Sequence, residues 1–188
     1  NSKFDIAIMG SGFFQVEIPE SMGRGGYGYT RDGNFIPDAN GQLVTAQGYK
    51  MVPNVTLPQD FIADSVDIAE DGTVSVGTPG STTLQQVGQI ELATFVNPEG
   101  LQCIGETLYI ETDASGTPQA GAAGTSNMGT VIQGHLESSN VDLVSELVNM
   151  IRTQRAYEFN SQTIKTADEM LQVIGRLKPG ATMDQAKA

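Results

Sequence analysis

A chain of 188 residues with 39% hydrophobic content is long enough to bury the core of one domain. Its 22 acidic residues outweigh 10 basic ones, a formal net charge of −12, so it lacks the clustered Lys and Arg that grip nucleic acid or an anionic membrane surface. No run of 18 apolar residues is present to cross a bilayer as a helix, and the lone Cys103 can form no disulfide within the chain. The apolar–polar alternation around Cys103 reads it as a small buried hydrophobe. Trp is absent and aromatics make up 6%, which disfavours a carbohydrate-binding cleft. The sequence begins at Asn1 without a visible signal peptide and is read as a fragment or processed product.

In chain order, Phe4, Ile6 and Ile8 alternate with other residues as in a half-buried strand, and Phe13 to Ile18 follows the Gly10-Ser11-Gly12 turn. Ser21 to Gly28 is a Gly-rich loop. Tyr27 to Thr30 reads as a strand ended by Asp32-Gly33, a hairpin signal. Asn34 to Ile36 leads to a turn at Asp38-Ala39-Asn40-Gly41, and Leu43-Val44-Thr45 and Tyr49 to Val52 continue the pattern. Val66-Asp67-Ile68 and Thr73 to Val76 flank a hairpin at Glu70-Asp71-Gly72. Val87 to Val96 is the strongest strand, and Leu108 to Glu111 is a shorter one. Residues 113–129, rich in Gly, Ala, Ser and Thr, read as a surface loop or linker. Short strands with turns about every ten residues predict an antiparallel β domain over residues 1–134.

From His135 to Ile174 there is no glycine and no proline, so residues 135–178 are predicted as one long helix of roughly 60 Å, with a flexible tail over 179–188. Ser139 and Asp142 fit a capping pattern, and Gly175 and Pro179-Gly180 are stop signals. Leu143, Met150, Tyr157, Ile164 and Leu171 recur every seven residues, with Leu147 on a companion line that is otherwise polar. A strict heptad line drifts about 20° per repeat on a straight helix and suits a supercoiled seam. Two readings follow. The helix lies on its own domain, or it packs against another helix, from a segment outside the chain or from another subunit.

No catalytic, cofactor or metal site is expected. Gly10-Ser11-Gly12 lacks the third glycine and the βαβ setting of a dinucleotide fold. Asp38 to Gly41 lacks the spacing and closing Glu of a calcium loop. His135, the only histidine, has no nucleophile elbow or ligand cluster to work with, and is read as a packing or surface residue. Glu111 and Asp113 would point the same way on an extended strand, and two carboxylates can hydrolyse a glycoside only when they converge across a cleft. A periplasmic glycan hydrolase and a soluble binding module remain as alternatives.

Two stretches carry a resemblance. The first holds Gly12-Phe13-Phe14-Gln15-Val16, Tyr29-Thr30-Arg31-Asp32-Gly33-Asn34-Phe35 and Gly41-Gln42-Leu43-Val44-Thr45. The second holds Ser139-Asn140-Val141-Asp142-Leu143, Asn149-Met150-Ile151 and Gln154-Arg155-Ala156-Tyr157-Glu158. Together they resemble the rod and hook family of bacterial flagellar axial proteins, over nearly the whole chain. The Gln154 to Glu158 run and the short interval from Phe35 to Gly134 are similar to the distal rod branch, with proximal rod or hook-type proteins as alternatives. The resemblance implies a structural subunit of the basal body, exported through the type III apparatus without a cleaved signal peptide. It also implies a homopolymer forming a hollow helical shaft in the periplasm, with other rod, hook and ring proteins as partners, and neither nucleic acid nor membrane insertion. The family's N-terminal helical region is not found in this sequence. The residues assigned to the assembly seam are Leu143, Leu147, Met150, Tyr157, Ile164 and Leu171. Arg31 and Asp32 are assigned a structural hairpin role in preference to contact with a partner.

Overall fold

The computed structural model describes residues 2–81, 83–125 and 127–177, with helical side chains described as far as Val173. In chain order the strands are β1 (Ile6–Met9), β2 (Phe13–Glu17), β3 (Tyr27–Thr30), β4 (Phe35–Pro37), β5 (Leu43–Thr45), β6 (Lys50–Val52), β7 (Asp67–Ile68), β8 (Thr73–Val76), β9 (Gln85–Gln89), β10 (Glu91–Thr94), β11 (Gln102–Gly105), β12 (Leu108–Ile110), β13 (Gln119–Ala122) and β14 (Thr130–Gln133); a single helix, α1 (Leu143–Leu177), follows. The fold class is mainly β, every named strand pairing being antiparallel, with one C-terminal helix. The chain divides into two compact units between Ser138 and Ser139.

Within the β unit, the principal sheet runs β11-β12-β3-β2-β6-β5-β4. Strand β2 anchors it. One edge of β2 pairs with β3; the other pairs with β6 through Gln15–Glu17 and with β10 through Phe13 and Phe14. Alternation along β2 sends Phe14 and Val16 to one face and Phe13 to the other. The first face is the main core, where the Phe14 and Phe35 rings meet edge-on with centroids 5.2 Å apart. The second face is a smaller aromatic cluster in which Tyr29 meets Phe95 at 4.8 Å and Phe13 meets Phe95 and Tyr109 at 6.0 Å each. Burial within that cluster pushes the Tyr29 phenol up to about 12, with Glu111 and Tyr27 adding to the shift.

Two smaller sheets complete the unit: β1 with β14, and β7-β8-β9. The Gln133 side chain ties them. Its Nε2 donates to the carbonyls of Lys3 (2.8 Å) and Val66 (2.9 Å), and its Oε1 accepts from the Ile68 N–H (3.3 Å). One amide thus supplies strand-like hydrogen bonding where backbone pairing stops.

Several elements depart from the sequence expectations. Asp32-Gly33 does not close a hairpin: β3 pairs with β2 and β12, while β4 pairs with β5. Val87 to Val96 is two strands in two sheets, broken at the buried Ile90, whose N–H donates to the Gly72 carbonyl at 2.7 Å. The stretch 113–129 is not a uniform loop, because residues 119–122 form β13 along β10. Cys103 is exposed, since it lies on β11, an edge strand paired only with β12 and bulged between Cys103 and Gly105. Strands β11, β13 and β14 have no counterpart in the expectations. The helix begins at Leu143, not His135, and runs through Gly175 to Leu177; the tail expected over 179–188 and the stop at Pro179-Gly180 lie outside the described residues. The Glu70-Asp71-Gly72 turn does join paired strands, with Ile68 opposite Val74.

Candidate assembly surface

The start of the helix is set by Asp142. Its carboxylate accepts the Val144 N–H (3.0 Å) and the Ser145 hydroxyl (2.8 Å), and its carbonyl accepts the Glu146 N–H (3.0 Å). The Ser145 hydroxyl and then the Val144 N–H hold the Asp142 carboxyl below its usual range. Ser139 is not the cap; its hydroxyl accepts the Val141 N–H two residues on, a local turn that keeps residues 139–141 out of the helix.

At 1.5 Å per residue the 35-residue helix is roughly 52 Å long. The six residues assigned to the seam, Leu143, Leu147, Met150, Tyr157, Ile164 and Leu171, are all exposed, Tyr157 at 76%. None belongs to a buried core cluster. Gln154, Arg155 and Ala156 are exposed beside them. A second group is exposed as well: Val144, Val148, Ile151, Phe159, Met170 and Val173, with Phe159 at 71%. Val148, Phe159 and Met170 are eleven apart, a spacing of 3.67 residues per turn that a heptad template passes over.

The motif residues of the β unit have a different environment. Phe14, Tyr29 and Thr30 are buried, and Phe13 is half-buried. Arg31 forms a clamp. Its guanidinium donates to the carbonyls of Ile8 (3.3 Å), Gly10 (3.1 Å) and Gly12 (2.9 Å), pairs through Nε with Glu137 (2.7 Å), and sits 6.0 Å from the centre of the Phe13 ring. It therefore fastens the β1–β2 turn to the segment that leaves β14. The Asp32 carboxylate accepts the Asn34 N–H, and Gly33 passes so close to Ile6 that a side chain there would collide with the Ile6 carbonyl. Glu137 has no local sequence signal, being 106 residues from Arg31.

The remaining polar candidates do not converge. His135 is exposed, with Nδ1 3.0 Å from the Gln133 carbonyl oxygen. Asp113 pairs with Arg24, whose guanidinium holds its carboxyl below the usual range, the opposite of what a general acid needs. The Asp38 carboxylate is occupied by the N–H groups of Gln42 and Asn40, both at 2.8 Å, as in an ordinary turn. Among the described residues no group of three or more His, Cys, Asp or Glu side chains could hold a metal ion, and no helix is long and apolar enough to cross a membrane.

Residues 7–76 match the family described as "Flagellar hook protein FlgE/F/G D1 domain", and residues 132–177 the family described as "Flagellar basal body rod FlgEFG protein C-terminal". The flagellar basal-body rod protein FlgG of Buchnera aphidicola subsp. Acyrthosiphon pisum is 48% identical over 173 residues, covering 92% of this chain and 64% of that protein. That of Borreliella burgdorferi is 47% identical over 174 residues, covering 93% and 64%. The flagellar hook protein FlgE of Escherichia coli K12 is 46% identical over 141 residues, covering 74% of this chain and 33% of that protein. The chain thus spans just under two thirds of the length of the rod proteins it matches. The two family matches fall on the β unit that holds the Arg31 clamp and on the exposed helix, and the likeness to rod proteins runs through both: the chain belongs to the family of flagellar basal-body rod and hook proteins.

Proposed function

We propose that this chain is most of a distal rod subunit, a structural protein and not an enzyme. Copies polymerise into a hollow helical shaft that carries motor torque through the periplasm to the hook. A contact that repeats head to tail without closing generates such a polymer, and long helices packed side by side make it stiff. The observation that carries the reading is the exposed heptad line of Leu143, Met150, Tyr157, Ile164 and Leu171 on a helix with no place in the core. Each such residue, once buried, contributes roughly 1.5–3 kcal/mol before entropy costs. The domain division supports a separation of roles, with the acidic β unit meeting neighbouring rod, hook and ring proteins and the helix joining subunit to subunit. Delivery through the type III apparatus into the periplasmic part of the basal body, without a cleaved signal, belongs to the same reading. The test is to express the chain within a protein of its relatives' full length and examine it by electron microscopy. Hollow tubes support the reading; dispersed particles at every concentration and ionic strength refute it.

A further inference from the structure

The chain leaves β14 along a path fastened at two points. Gly134 turns it at a φ of +73°, and its N–H donates to the Asp5 carbonyl at 2.7 Å. At the second point the Glu137 carboxylate accepts from Arg31 Nε, also at 2.7 Å. His135 and Leu136 between them are exposed, so burial does little to hold this stretch against the strands. Residues 138–141 are exposed up to the Asp142 cap, and the division between the two compact units falls among them. Among the described residues, Glu137 is thus the last side chain fastened to the β unit before the helix begins.

Arg31 is prepared for that contact. The carbonyls of Ile8, Gly10 and Gly12 already fix its guanidinium, so closing the pair orders only the Glu137 side chain. The Arg31 side chain is 29% exposed and that of Glu137 44%, which spares the pair part of the screening met on an open surface. Charge narrows the choice of anchor. Residues 1–142 carry 17 acidic side chains and 4 basic ones, and one of the basic ones, Arg24, is taken by Asp113. A pair of this kind favours its closed form by up to about fivefold, enough to hold a segment with little else to hold it and a small part of a domain's stability.

We propose that Glu137 is a positioning residue: its pair with Arg31 is a latch that sets the length of the tether between the β unit and the helix. With the latch closed the free chain is residues 138–141; with it open the free chain is residues 135–141. At about 3.5 Å per residue the greatest reach rises from roughly 14 to roughly 25 Å. A helix turning in a shaft passes its motion to the β unit with less slack through the shorter tether. That consequence rests on the rod-subunit reading; the latch does not.

The test is amide relaxation by NMR on the 188-residue chain, comparing the parent with E137A. At positions 136 and 137 the parent is expected to show order parameters close to the rigid value of about 0.85, and E137A values below about 0.6, with the thermal midpoint of the β unit lowered by less than about 4 °C. Equal order in both chains, rigid or mobile, overturns the latch. A larger fall in the midpoint overturns it as well, because Glu137 then serves the core of the β unit. The same substitution in a protein of the relatives' full length separates the two claims. Electron microscopy is expected to show tubes that bend more than those of the parent. Tubes equally straight, with the tether loosened, overturn the mechanical role alone. A parent that forms no tubes overturns the rod reading and leaves the latch to be decided by the relaxation result.

Discussion

Gly33→Ala tests how the Arg31-Asp32-Gly33-Asn34 motif is used. A Cβ at Gly33 would fall on the Ile6 carbonyl oxygen and lie 2.6 Å from its carbon. Ordinary carbon contacts need about 3.5 Å or more and the oxygen lies closer still, so the backbone at Ile6 has to retreat by more than about 1 Å. That retreat breaks the Ile6 N–H to Gly33 carbonyl bond (3.0 Å), worth about 1 kcal/mol, and disturbs the neighbouring Asp5–Asn34 bridge. Ile6 is fully buried and opposite Gln133 on β14, so the displacement is forced into a packed core at a cost of about 1–3 kcal/mol. Reduced unfolded-state entropy on replacing Gly returns only about 0.4–1 kcal/mol. The collision wins, and net destabilisation is about 2–3 kcal/mol. For a unit of this size that lowers the midpoint of thermal unfolding by roughly 6–10 °C. Calorimetry or circular dichroism of the β unit's transition measures it. A shift of less than about 2 °C refutes the close approach and frees the motif for a role in contacts with other molecules.

Two other perturbations separate internal roles from surface ones. Arg31→Ala removes the donor from three backbone carbonyls and is expected to cost about 2–3 kcal/mol in urea unfolding, whereas Glu137→Gln, which leaves those carbonyls served, costs under about 1 kcal/mol; equal effects would count against the clamp. At Asp142 the folded carboxyl titrates below its usual range, so its support for the helix start is complete above the unfolded value near about 4 and is lost as pH falls through the folded value. The protection of the Val144 and Ser145 amides, measured against their intrinsic exchange rates, should therefore fall on acidification in the parent but not in Asp142→Asn, which caps without titrating.

The sequence was most legible where neighbours along the chain decide the outcome. Phe4, Ile6 and Ile8 alternate and are all buried, and the Asp71-Gly72 turn joins strands that pair with each other. The same dipeptide at Asp32-Gly33 misled, because the strands on either side of it find partners elsewhere and Gly33 serves a contact with Ile6 instead. Strand β14 is invisible locally, since its four residues become a strand by pairing with β1 from the far end of the unit. Ile90 divides one apolar run between two sheets for a similar reason: its N–H is taken by Gly72. On the helix, a heptad template picks out one line, and the eleven-residue spacing of Val148, Phe159 and Met170 falls outside it. The Arg31–Glu137 pair had no such signal, because only the folded chain brings the two residues together.

The helix itself is poorly suited to stand alone. Between Thr153 and Thr166 it contains three Thr, an Asn, a Ser, a Tyr, a Phe and an Ile, each costing up to about 0.7 kcal/mol relative to Ala in an isolated helix. The hydroxyls of Thr153, Thr163 and Thr166 each bond back to the carbonyl four residues earlier, at 2.9 Å, which further weakens a helix. Gly175 adds about 1 kcal/mol near the other end. The ion pairs among the described residues are Arg24–Asp113 and Arg31–Glu137, so none braces the helix, and none of its seam side chains is buried to offset these costs. On the proposed reading, burial in an assembly supplies the missing term, and folding of the middle of the helix and association are then one equilibrium. Helical ellipticity at 222 nm should fall as the chain is diluted from about 1 mM to about 1 µM, while the unfolding transition of the β unit stays fixed. A helix that keeps full ellipticity across that range is stable without company, and the coupling of order to assembly is then wrong.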